Sequence, residues 1–150
     1  MKISIFAGVL LISAALISVD GQSWAQFQIK HINAGMTAGQ CSTVIAARRI
    51  VQPPTQVNQG FSCKTLNTFI TGNVNAVRAI CAAGGGTNIG GNYYKSNKNT
   101  FNVVVCSGAN GKYPCVYNSS AINNVYIVTE CDGNREPVHF VRFEKSGLTT

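Results

Sequence analysis

Histidine is scarce in this chain of 150 residues, which has only two, His31 and His139. Acids are scarce as well: five Asp and Glu stand against twelve Lys and Arg, for a formal net charge of +7. Such an excess favours polyanionic partners such as nucleic acid, heparan or anionic lipid, and it describes a merely soluble cationic surface equally well. The six cysteines include no Cys-x-x-Cys pair, which argues against a structural zinc site. After one apolar stretch near the start no second long apolar run follows, so a transmembrane chain is not expected. Neither an internal repeat nor an interdomain linker divides the remainder, whose length suits one domain with a modest core.

What is present begins with Lys2, an apolar stretch from Ile3 to Val19 and small residues before Gln22, the build of a secretory signal peptide. Residues 1–21 are read as that peptide and 22–150 as a single domain, secreted to the extracellular space. Cleavage after Gly21 leaves Gln22 to cyclise to pyroglutamate. Cleavage after Ala25 also satisfies the small-residue rule but would delete part of the first helix. Losing residues 1–21 removes Lys2 and Asp20 together, so the +7 persists. Six cysteines in a secreted chain of this size read as three disulfides, and 15 pairings are open to them. Asn118-Ser119-Ser120 is the one glycosylation sequon.

Helical signals occupy the first half. Ser23-x-x-Gln26 is a capping-box pattern, and Trp24, Phe27 and His31 then recur at intervals of three and four, so His31 points inward from a short helix. Asn33-Ala34-Gly35 ends it. Thr37-x-x-Gln40 opens a second helix lined by Cys41, Val44 and Ile45, which stops before Pro53-Pro54 with Arg48-Arg49 at its end, where cations suit the helix dipole. A strand from Cys63 to Ile70 is followed by a third helix capped by Asn73, with Val74, Val77 and Cys81 on one face, and then by a flexible loop from Gly84 to Gly91. Strands follow over Phe101–Cys106, Tyr113–Tyr117, Ile122–Cys131 and Pro137–Phe143, with turn signals at Asn110-Gly111 and Asp132-Gly133. Helices first and antiparallel strands after predict an α+β domain with three helices packed on a twisted sheet.

Three blocks stand in order along the chain: Phe27-x-x-x-His31, Cys63-Lys64-x-x-Asn67-Thr68-Phe69, and Val138-His139-Phe140. Together they resemble the pancreatic-type ribonuclease family over nearly the whole of residues 22–150. The six-cysteine frame is similar to angiogenins and to fish or reptile members, and the opening Gln-x-Trp-x-x-Phe-Gln to amphibian ones. The resemblance implies bridges Cys41–Cys106, Cys63–Cys115 and Cys81–Cys131. A fourth bridge that many mammalian members carry has no counterpart in Ala82-Ala83-Gly84-Gly85-Gly86.

It further implies an endoribonuclease that needs no metal and no cofactor. Internal attack on RNA requires a base for the 2′-hydroxyl, an acid for the departing 5′-oxygen and positive charge for the phosphorane. Two imidazoles can share the first two tasks near neutrality. By resemblance His31 is the base, His139 the acid, and Lys64 with the Phe140 N–H stabilises the developing charge. Thr68 would read a pyrimidine, Lys30 would contact the scissile phosphate, and Asp132 stands where a longer acid often touches the base 3′ to the cut. Singly, these residues have plainer readings: a core histidine, a solvated lysine, a strand threonine and a turn aspartate.

Two positions depart from the pattern. Val105 replaces an Asp that helps Thr68 choose its base, so less ability to favour uracil is expected. Val141 replaces an Asp that bonds the catalytic histidine, which leaves the His139 ring to be set by a backbone carbonyl or water and predicts a modest gain from Val141→Asp. Single-stranded RNA is the expected substrate, DNA is inert for want of a 2′-hydroxyl, and the chain is expected to be a monomer. The rival reading is a cationic effector, angiogenin-like or host-defensive, acting on an anionic cell surface with weak catalysis.

Overall fold

The structure, a computed structural model, describes residues 23–52, 62–109 and 114–146. The signal peptide, the Pro53-Pro54 helix stop and the Asn110-Gly111 turn lie outside them.

Helix α1, Trp24–His31, begins where extended Ser23 accepts the Gln26 N–H on Oγ at 3.1 Å. Its buried stripe is Phe27 and His31. A 3₁₀ turn, Ala38–Gln40, leads into α2, Cys41–Arg48, and the Thr37 N–H donates to Gln40 Oε1 at 2.9 Å as the second capping signal predicts. Arg49, left-handed at φ 57°, closes α2. Asn73 Oδ1 accepts from the Asn75 and Ala76 N–H groups and starts α3, Val74–Arg78, which tightens into a 3₁₀ turn over Ala79–Cys81.

Eight strands are described: β1 Val51–Gln52, β2 Ser62–Cys63, β3 Leu66–Ile70, β4 Gly86–Gly90, β5 Tyr93–Ser96, β6 Phe101–Ser107, β7 Asn118–Cys131 and β8 Pro137–Lys145. The first two form a ribbon of their own and the rest one antiparallel sheet in the order β3-β6-β7-β5-β4, with β8 also on β7. Val125 of β7 pairs with both Phe101 of β6 and Lys145 of β8, and Val128 pairs with both Lys95 of β5 and Arg142 of β8. Consequently β5 and β6 follow one another along one edge of the long β7, and β8 runs along the other.

Three expectations change. The loop foreseen over Gly84–Gly91 is largely strand β4, hydrogen-bonded to β5. Two of the glycines in this segment serve close approach, since a Cβ on Gly85 would collide with the Ala79 carbonyl and one on Gly86 with the Ile80 carbonyl. The Cys63–Ile70 strand is broken at Lys64-Thr65, where the chain passes from the small ribbon to the main sheet. Pro114–Tyr117 is not strand. There Cys115 is bridged, the Tyr117 N–H donates to Ser42 Oγ at 3.0 Å, and its hydroxyl donates to the Lys64 carbonyl at 2.7 Å.

The bridges are Cys41–Cys106, Cys63–Cys115 and Cys81–Cys131, the pairing that the resemblance implies. Two apolar clusters flank the sheet. One gathers Ile45 of α2 with Phe69, Val104 and Tyr117; the other gathers Phe27 of α1 and Val77 of α3 with Ile70, Val103, Val125 and Ile127. Three helices on an antiparallel sheet with three disulfides is thus the observed architecture.

Candidate active site

Phe27 anchors α1 in its cluster, and one turn later His31 projects from the same face towards β3 and β8. There its Nδ1 lies 2.9 Å from the Thr68 carbonyl oxygen. A carbonyl only accepts, so Nδ1 carries the proton and the Nε2 lone pair stays available. Aromatic rings hold the imidazole on two sides, Phe27 tilted at 5.3 Å and Phe140 stacked at 5.1 Å between centroids. Burial drives the His31 pKa down to about 3 against the support of the Thr68 hydrogen bond, and the charges of Lys64, Lys30 and His139 push the same way. The helix dipole and burial pull oppositely in the sequence reading; here burial wins, and His31 is neutral at physiological pH.

Lys64 lies at the break between β2 and β3. Its Nζ donates to Asn67 Oδ1 at 2.9 Å, and Asn67 Nδ2 donates to the Lys30 carbonyl at 2.8 Å. The buried Asn67 amide therefore fixes the ammonium and the end of α1 together. Burial first, and Lys30 second, hold the Lys64 pKa below the usual lysine range.

One cleft of about 330 Å³ is lined by Lys30, His31, Lys64, Thr68, His139 and Phe140, together with Phe27, Leu66, Asn67, Val138 and Val141. Six of the seven expected site residues thus share one concavity. Asp132 is not among its lining residues; its Oδ1 accepts from the Asn134 and Glu136 N–H groups at 2.9 and 3.0 Å and shapes the β7–β8 turn. Thr68 is paired directly with Val105, whose side chain carries no polar atom.

Two residues near the cleft are given no role in the sequence reading. Asn67 belongs to the quoted Cys-Lys-x-x-Asn-Thr-Phe block, so the block itself was its signal. Glu130 had none: its Oε1 reaches 3.5 Å from His139 Nδ1 across the β7–β8 pairing. A carboxylate that the sequence reading did not name stands beside that ring.

This arrangement can take a proton at one imidazole, give one at the other and stabilise an anion between. The sequence pattern of the family described as pancreatic ribonuclease matches residues 22–141. Ribonuclease-like 3 of Danio rerio is 37% identical over 144 residues, spanning 89% of this chain and 91% of that protein. Angiogenin of Mus musculus is 30% identical over 145 residues, 91% of this chain and 88% of the other. The solved structure of RNASE ZF-3E superposes with a TM-score of 0.72 at 34% identity, covering 82% of this chain and 97% of that one. Sequence, disulfide pairing and fold agree, and the chain belongs to the pancreatic ribonuclease family.

Proposed function

We propose that this protein cleaves single-stranded RNA on the 3′ side of pyrimidines, through a 2′,3′-cyclic phosphate and without a metal ion. Endoribonuclease action on RNA is what membership of the family carries, and its members are typically secreted proteins. The observation that supports the finer reading is the His31 ring, neutral and with Nδ1 bound, so that Nε2 can serve as a base inside a cationic cleft.

In the first step Nε2 of His31 accepts the 2′-hydroxyl proton as that oxygen attacks phosphorus. Protonated His139 gives its proton to the 5′-oxygen, and the P–O5′ bond breaks to leave the cyclic phosphate. The Lys64 ammonium and the Phe140 N–H face the charge that accumulates on the phosphoryl oxygens. Water then opens the ring with the two histidines in exchanged roles, which returns both to their starting protonation states. Lys30 adds charge for the phosphate, and Thr68 meets the base. Val105 opposite Thr68 offers no polar contact to bias uracil over cytosine.

The test is cleavage of polycytidylate, polyuridylate and polyadenylate by the chain from residue 22, with chelator present and the cyclic product followed by phosphorus NMR. His31→Ala and His139→Ala should each reduce turnover by about 10²- to 10⁴-fold. Full activity in either variant would rule out the two-histidine mechanism. Similarity to angiogenin supports a second reading, a cationic effector with weak catalysis. Cell and bacterial assays of the same alanine variants separate the two, because effector action independent of catalysis would survive both substitutions.

A further inference from the structure

We propose that Glu130 is the positioning acid for His139, an acid moved from the strand of the histidine to the strand beside it. This rests on the ribonuclease reading above. Glu130 of β7 and His139 of β8 are register partners, and their side chains meet with Oε1 3.5 Å from Nδ1. The β7–β8 ladder shifts register on both sides of this point, between Val128 and Thr129 and between Glu130 and Cys131. Irregularities of this kind re-aim side chains. The first of them leaves Val141 without a partner, since Val128 pairs with Arg142 and Thr129 with Phe140. Val141 lines the cleft with a side chain that cannot bond an imidazole.

The remaining acids among the described residues are committed elsewhere. Glu136 pairs with Arg78 at 2.6 Å, Glu144 with Lys95 and Arg142 at 2.6 and 2.8 Å, and Asp132 is held within its own turn. Glu130 is the one of these acids that faces a histidine.

With more than half its side-chain surface in solvent, the His139 ring would otherwise sample both tautomers and several rotamers. A carboxylate beside Nδ1 selects the form protonated there and leaves Nε2 to carry the mobile proton. Exchange of strand alters which residue supplies the acid and keeps the step itself unchanged. A half-exposed contact is screened, so the effect on turnover is modest, about two- to five-fold.

Full-length mature protein with Glu130→Gln, with Val141→Asp and with both substitutions tests this on a cytidylyl dinucleotide, beside nitrogen-15 spectra of the His139 ring. Glu130→Gln should lower kcat by about two- to five-fold with KM and melting temperature unchanged, and should shift the ring away from its Nδ1–H form. Val141→Asp should raise kcat more in the Glu130→Gln background than in the wild type. An unchanged ring tautomer with unchanged kcat in Glu130→Gln, or a double variant as slow as the single one, overturns the proposal. A wild-type chain that fails to cleave RNA removes the ribonuclease reading instead, and the ring-nitrogen spectra still decide the Glu130 contact.

Discussion

A histidine that acts as a base must be neutral at the working pH and must present a defined nitrogen. Burial supplies the first at His31, and the Thr68 carbonyl supplies the second. With its pKa pushed down to about 3 in the folded chain and near 6.5 when unfolded, His31 binds a proton in the unfolded state alone across that interval. Its contribution to stability is therefore complete above pH 6.5 and is lost as the pH falls from there towards 3. The melting temperature should decline over that window, and His31→Asn, which keeps a donor for the Thr68 carbonyl but does not titrate, should decline less. The acid limb of kcat/KM, which reports the free protein, should be displaced from the ordinary histidine range towards about 3. An acid limb near 6.5 would mean that the ring is protonated more easily than its surroundings allow.

At the scale of elements, the position of His31 depends on how α1 is held. Its C-terminal carbonyls Gln28, Ile29 and Ile32 accept from Arg48 Nη1 of α2 at 3.3, 2.8 and 2.7 Å, and the guanidinium carbon lies 5.9 Å from the Phe69 ring centroid. A cation there bonds the carbonyls at the helix end and complements the dipole of α1, where the sequence reading has Arg48 serve only the end of α2. Arg48→Met keeps most of the stem and removes the charge. It should lower stability by about 1 to 2 kcal/mol in denaturant titration and reduce kcat more than it raises KM. What was legible before the fold was known follows the range of the interaction. The caps at Ser23, Gln40 and Asn73 are contacts within four residues and declare themselves in the sequence. The family blocks likewise mark the cleft residues. Arg48 acts 16 to 20 residues away, and Glu130 meets His139 through strand register, so neither leaves a local signature. The Gly84–Gly91 run reads as a loop because glycine lowers strand propensity, while Gly85 and Gly86 serve the approach of the Ala79–Cys81 turn to the start of β4.

Over the whole molecule, the +7 charge is visible in composition, but how it is distributed depends on the fold. The four acids among the described residues each engage a partner: Glu136 with Arg78, Glu144 with Lys95 and Arg142, Glu130 with His139, and Asp132 with backbone N–H groups. For Glu144 the hydrogen bond from Lys95, then that from Arg142, holds its carboxyl below the usual range, so it stays ionised in these pairs well into acid. The cleft, by contrast, presents Lys30 and Lys64 with no acid among its lining residues. Such a surface concentrates a polyanion through its summed field, and the strand it gathers must release counterions on binding. If about three phosphates are engaged, raising monovalent salt from about 50 to 200 mM should cut kcat/KM on polycytidylate by about tenfold or more, given a slope near −0.7 per phosphate. A dinucleotide, with a single phosphate, should lose only about two- to threefold over the same range. Equal salt sensitivity for the two substrates would mean that the cleft cations at the scissile bond, rather than the wider cationic surface, carry the attraction for RNA.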